Sequence, residues 1–209
     1  MLKRTWIAVG FFVLGFSAPG FGSDLGLYIG VGPGHANVED VNLEKINTDG
    51  SIVSGSTDDA SRALKVFVGY QIIPYLAVEG EWINNLWKAR IDAVSDGSSI
   101  FLDAGPVTHR GEADGLALNA VFNWPVAGPL NLYAKVGALW WKVDADLEFL
   151  SGGQRMQISD EDDGVDPTFG VGVRYDLGDA LALRGEWQRF HGISETNSNV
   201  LWVSLSVGF

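Results

Sequence analysis

Three sets of residues in this chain carry side chains that could do chemistry. The first is His191-Gly192-Ile193-Ser194-Glu195, a base, a hydroxyl and a carboxylate in one short stretch. Hydroxyl catalysis needs the base within hydrogen-bond reach of the nucleophile. His191 and Ser194 are three positions apart, and on an extended strand that spacing sends them to opposite faces. The second is Asp160-Glu161-Asp162-Asp163-Gly164-Val165-Asp166, whose carboxylates could hold Ca²⁺. The position of Gly164 in that run does not match the calcium-loop pattern, so the run reads as a solvated external loop. The third is a scatter of charges, Lys65, Glu79, Glu81, Lys135, Arg174, Arg184 and Glu186, which becomes a set only when the elements carrying it are drawn. His35 and His109 show no metal-ligand spacing. Gly30-Val31-Gly32-Pro33-Gly34 leads into neither a Lys-Ser/Thr pair nor a helix, so it is no phosphate loop. Cysteine is absent, which removes disulfides and thiolate metal sites. The expectation is a protein without metal or cofactor, and not an enzyme.

The elements that must position these residues are strands. From residue 24 onward, apolar and other residues alternate with a period of two, as on a strand with two different faces. Leu64, Val66, Val68, Tyr70 and Ile72 oppose Lys65, Phe67, Gly69 and Gln71. Leu132, Ala134, Val136, Ala138 and Trp140 oppose Tyr133, Lys135, Gly137 and Leu139. Similar segments begin near Leu27, Leu76, Leu116, Phe169, Leu181 and Leu201, making about eight strands, an even number, as a closed single-chain barrel requires. The turns around Pro74, Gly128-Pro129 and Gly178 are short. The other connections, over roughly 36–62, 85–113, 143–166 and 191–198, are long and polar. Lys142 to Leu150 still alternates, so strands could project past the span. Short turns at one end and long loops at the other is the asymmetry of outer-membrane barrels, with the long loops outside.

Two orderings separate this from a soluble sandwich. The charged strand residues avoid the apolar parity, and the opposite parity is rich in small residues such as Gly30, Gly69, Gly137, Gly170 and Ser204. Small side chains suit the crowded interior of a narrow barrel. Aromatic residues on the apolar parity also gather at two levels. Tyr70, Tyr75, Trp124, Tyr175 and Phe209 stand at the short-turn end, and Trp82, Trp140 and Trp187 at the other. Such belts fit the two interfaces of a bilayer. Lys65, Glu79, Glu81, Lys135, Arg174, Arg184 and Glu186 then share the inward parity. In a lumen wide enough only for side chains they are expected to pair into a plug, because unpaired buried charge is very unfavourable. A gated polar pore is the competing reading.

The ends of the chain fit an exported protein. Lys3-Arg4, the apolar run Trp6 to Phe16 and the small residues Ser17 to Ser23 form a secretory signal peptide over residues 1–22, cut after Gly20 or Gly22. Residues 23–209 are then the barrel domain. The formal net charge of −12 disfavours nucleic acid, whose phosphates would repel it.

Several segments resemble the OmpA-like transmembrane domain. Pro129 to Trp141 looks like its fifth strand. Val171 to Tyr175 followed by Leu181 to Gln188 resembles its sixth and seventh, and Leu201 to Phe209 is similar to its closing strand. The resemblance implies an eight-stranded antiparallel up-and-down barrel, integral to the outer membrane, embedded in lipid and lipopolysaccharide. It also implies that the strand ending in Phe209 is read by the outer-membrane assembly machinery. Larger members carry a periplasmic peptidoglycan-binding domain after the barrel. None follows Phe209 in this sequence, so the expected roles are those of small barrel-only relatives: structure, adhesion or passage of small solutes. A family of lipid A deacylases also uses an eight-stranded barrel with His, Ser and Glu. Its His and Ser are two apart and Asn follows the Ser, whereas here the spacing is three and Glu195 follows.

Overall fold

The computed structural model describes residues 26–38, 52–58, 60–99, 102–193 and 196–209. The expected signal peptide, with both candidate cleavage points, lies outside the described residues. The strands are β1 (Leu27–Val38), β2 (Ile52–Asp58), β3 (Ala60–Ile73), β4 (Leu76–Ser95), β5 (Gly105–Ala127), β6 (Leu130–Ser151), β7 (Gln154–Asp176), β8 (Leu181–Ile193) and β9 (Thr196–Gly208). β2 and β3 lie end to end along β4 and act as one stave, so the wall has eight staves. Each stave pairs antiparallel with its neighbours, and β1 pairs with β9 to close the ring. Closure leaves no open edge at this level. This is the eight-stranded up-and-down barrel that the alternation predicts.

The staves differ greatly in length. β1, β8 and β9 have 12, 13 and 13 residues, whereas β5, β6 and β7 have 23, 22 and 23. About 9–11 residues suffice to cross a bilayer core. β4 to β7, with β2 beside them, therefore continue past the barrel as a projecting sheet. Much of 85–113 and 143–166, expected as loop, is strand. The acidic run 160–166 is likewise part of β7, not a loop. The hairpin signal is Gly152-Gly153. Both glycines have positive φ, 60° and 74°, as a type I′ turn requires. That turn carries the β6–β7 register without a break from Ser151↔Gln154 to Leu130↔Tyr175.

One irregularity preserves the phase of the pattern. Between Ile83↔Gly115 and Trp87↔Ala113, β4 advances four residues while β5 advances two. Asn85 takes φ 52° there, an uncommon conformation that Asn tolerates better than most residues. Asp114 Oδ1 accepts from the Asn84 side chain (3.0 Å) and the Asn85 N–H (2.8 Å). An insertion of two residues keeps every later side chain on its original face, whereas one residue would flip them all.

The faces themselves change meaning along the strands. In the barrel, outward residues such as Leu116, Leu118, Val136, Trp140, Val171 and Leu205 are exposed and apolar. In the projecting sheet the same outward parity carries ion pairs, Lys88 with Glu112 (2.5 Å) and Arg110 with Glu148 (3.3 Å) among them. There the inward side is apolar: Ile91, Ala93 and Val107 are buried, with Ile52, Leu147 and Phe149 packed against them. The switch falls between Trp140, which is exposed, and Trp141, which is buried.

Candidate functional site

The barrel interior is layered. At the short-turn end a polar mouth of about 360 Å³ is lined by Tyr28, Asn123, Asn131, Arg174 and Asp176 among others, and ends at Tyr133 and Arg184. Next comes an ionic layer. Beyond it lies an apolar layer containing Ile83, Leu139, Phe190, Trp141 and Trp202.

The ionic layer is built from five strands: Lys65 on β3, Glu79 and Glu81 on β4, Lys135 on β6, Arg184 and Glu186 on β8, with Tyr133 on β6 and Tyr28 on β1. Inward parity places them all in the lumen. Glycines give the long side chains room. A Cβ at Gly172 would stand 2.5 Å from the Tyr133 ring, and one at Gly170 would stand 3.3 Å from Lys135 Cε. β7 thus forms a bare floor across which the β6 side chains lie.

The contacts are dense. Arg184 donates to both oxygens of Glu79 (2.7 and 3.4 Å), and Tyr28 OH donates to Glu79 at 2.9 Å. Lys65 Nζ lies 2.7 Å from Glu186 and 3.4 Å from Glu81. Lys135 touches Glu81, Glu186 (2.7 Å) and Glu79 (3.7 Å). Tyr133 OH donates to Glu186 at 2.7 Å, and Gln188 Nε2 to Glu81 at 2.9 Å. The Arg184 guanidinium also lies 4.6 Å from the ring centres of both Phe67 and Tyr133. Three cations meet three carboxylates, so the layer carries no net charge. Its six charged residues are at most 5% exposed. Charges in low dielectric interact strongly, but desolvation opposes their burial. The layer is favourable only because nearly every oxygen has a donor.

Arg174 shares the inward parity but does not join this layer. It bonds Asp176 at 2.7 Å in the mouth, partly exposed. Glu79, Glu81 and Glu186 bring carboxylate oxygens within 4.8 Å of one another, the one such grouping among the described residues. Lys135 touches all three, so an ammonium group serves where a cation would otherwise sit. The acidic run on β7 makes no such grouping among the described residues.

Of the aromatic residues singled out in the sequence, Tyr70, Trp82, Trp124, Trp140 and Tyr175 are exposed on the outward parity, while Tyr75 and Phe209 are exposed at the short-turn end, where they line the mouth. The ladder sets Trp82 and Trp140 on either side of Leu116 in one row. Trp187 is half-buried, edge-on to Phe169. His191 is exposed at the end of β8, while Ser194 and Glu195 lie outside the described residues. His109 sits on the inward face of the projecting sheet, opposite Ile91 and Leu147, and burial pushes its imidazole below the usual pKa. The apolar layer of the lumen is what sequence reasoning missed. Its signal was present in Leu139, Trp141 and Val143, which continue the inward parity of β6 with large apolar residues.

Comparison with known proteins gives the same architecture. Outer membrane protein A of Serratia marcescens is 27% identical over 202 residues, covering 94% of this chain and 52% of that protein. Outer membrane protein A of Yersinia pseudotuberculosis is 29% identical over 198 residues, covering 93% and 50%. The chain thus spans about half the length of the curated relatives it matches. Among solved structures, it superposes on the Yersinia pestis attachment invasion locus protein Ail, in complex with the heparin analogue sucrose octasulfate, with a TM-score of 0.52, 14% identity and coverage of 89% of this chain and 99% of Ail. It superposes on OprG, an outer membrane protein of Pseudomonas aeruginosa, with a TM-score of 0.52, 13% identity and coverage of 90% and 98%. Residues 23–206 match the OmpA-like transmembrane domain. The chain belongs to that family and is an integral β-barrel of the outer membrane.

Proposed function

We propose that this barrel is a closed structural element of the outer membrane that holds an acidic sheet outside the cell for interaction. The observation carrying this reading is the neutral ionic layer, in which six buried charges and two tyrosines bridge the lumen from five strands. Ions would have to break these pairs and then pass the apolar layer around Leu139 and Trp202. The girdle would sit among lipid and lipopolysaccharide, the long hairpins would face outside, and the strand ending in Phe209 would engage the assembly machinery. Under this reading the chain is not an enzyme; exposed His191 would play no catalytic part.

A narrow channel for small solutes is the second reading, favoured by the mouth of about 360 Å³ that reaches inward as far as Arg184. Single-channel recording of the purified barrel in a planar bilayer separates the two. The closed reading expects no stable steps from the wild type and brief openings from Arg184→Ala. Stable wild-type steps that grow in Glu79→Gln would overturn it.

A further inference from the structure

β7 pairs with β6 along its whole length, but β8 covers its other edge only from Thr168 onward. Pro167 has no N–H to offer, and the β7–β8 ladder begins at the next residue. Among the described residues, 154–167 therefore present a free strand edge, on which alternate residues aim N–H and C=O groups away from β6. Residues 154 to 163 are all exposed.

Natural edges are usually guarded by charged side chains, Lys above all, by Pro, by a bulge or by inward-pointing charges. Between 154 and 166 this edge has neither Lys nor Pro and its register with β6 shows no shift; its guards are charges, Arg155 at the tip and the inward-pointing Asp160 and Asp162, which turn away strands that bring no complementary cation. It is specialised along its length. At the tip, Met156 (46% exposed) and Ile158 (54%) lie on the inward face. They stand opposite Phe149 and Leu147, which pack on the buried Ile91, Ala93 and Val107. The apolar layer of the projecting sheet thus runs to the edge and, among the described residues, stops uncovered. Nearer the barrel the edge is acidic on both faces. Glu161 pairs with Lys142 at 3.0 Å, but among the described residues Asp160, Asp162 and Asp163 have no cation at ion-pair distance.

We propose that residues 154–163 of β7 are a strand-addition site for an extended segment of another protein, with alternating apolar residues at one end and Lys or Arg at the other. Backbone pairing would supply the affinity, and the two ends would supply direction and register. A second copy is the wrong partner. Two copies in one membrane run their β7 edges in the same direction, so they would pair in parallel with Asp160–Asp163 of each beside the same residues of the other, like charges that repel, and the chain carries −12 overall. The proposal rests on the reading that the long hairpins face outward.

The test uses the full chain in phospholipid nanodiscs and a synthetic peptide of about ten residues, valine-threonine alternation leading into lysine-threonine alternation. Binding is expected to slow amide exchange at alternate residues of 154–163 by about tenfold or more, leaving β2 and the barrel unchanged. A peptide with glutamate in place of lysine should not bind. The triple variant Asp160→Asn, Asp162→Asn, Asp163→Asn should weaken binding by about tenfold, and Ile158→Lys should abolish it. The heat-dependent gel shift of the folded barrel confirms that each variant folds. No protection at saturating peptide, equal binding of the glutamate peptide, or self-association of the barrel through this edge would each overturn the proposal. Two controls separate this outcome from that of the parent reading. The chain has no cysteine, so labelling of Ser159→Cys on intact cells reports which side the sheet faces; an unlabelled sheet would overturn the external partner. Conductance is measured on the same preparation. A barrel that conducts yet binds the peptide refutes the plug alone, and a closed barrel that ignores the peptide refutes strand addition alone.

Discussion

The two ends of β6 share one backbone geometry and one alternation, yet their faces have opposite meaning. From Leu132 to Trp140 the outward residues meet lipid, while the inward Tyr133 and Lys135 meet charge and only Leu139, at the end of the span, enters the apolar layer. From Trp141 to Phe149 the inward residues are apolar and the outward ones are charged. The lesson is that apolar alternation marks whichever face is away from water, and in a membrane barrel that face is the outside. Where the strand leaves the bilayer, water returns to the outside and the apolar residues move to the inner face, with no change of register.

The largest expected effect comes from the interior of the membrane half. Lys135→Met leaves Glu79, Glu81 and Glu186 facing one another with fewer cations. Truncating one partner of a buried ion network typically destabilises by about 3–5 kcal/mol. Urea unfolding in vesicles, followed by the gel shift, measures this. A loss below about 1 kcal/mol, the range of surface pairs such as Lys88–Glu112, would mean that the layer is not energetically distinct from the projecting sheet.

A matched pair of substitutions tests the inversion itself. Val136 (53% exposed) and Val94 (46% exposed) both point outward, one midway along the membrane half of β6, the other on the projecting part of β4. Val136→Arg should destabilise by about 2–4 kcal/mol, as for a charge on the lipid face near the midplane. Val94→Arg should change stability by no more than about 0.5 kcal/mol, as for an ordinary surface site. Similar values for the two would refute the placement of the boundary at Trp140–Trp141.

The smallest effect concerns His109, on the apolar face of the projecting sheet. Burial lowers its pKa, so the folded state prefers the neutral imidazole. Its contribution to stability is present above the unfolded pKa, near 6.5, and is lost as pH falls through the lower folded value. Proton NMR of the His109 ring should show titration below about 6.5. Titration at or above that value would mean that this face is wetter than its packing suggests.

Much of this was written locally. The alternation from Leu64, Leu116 or Leu132 onward specifies strands, because a strand's side chains repeat every two residues. The short turns at Pro74 and Gly128-Pro129 specify hairpins. The charges at Lys65, Glu79 and Arg184 share the inward side because parity is a local property. Gly152-Gly153 also announced a tight hairpin, and the acidic run that reads as loop is strand because that turn holds it in register with β6. Partners were not written locally. Arg174 and Arg184 have the same parity and similar surroundings in sequence, yet Arg184 reaches Glu79 across the lumen and Arg174 stays in the mouth with Asp176. The pairing of Lys135 with Glu81 joins residues 54 positions apart. Sequence alone determined strands, faces and the need for buried charges to be neutralised. Only closure of the ring decided which charges meet, because the distance across a lumen depends on the stagger of all eight staves at once.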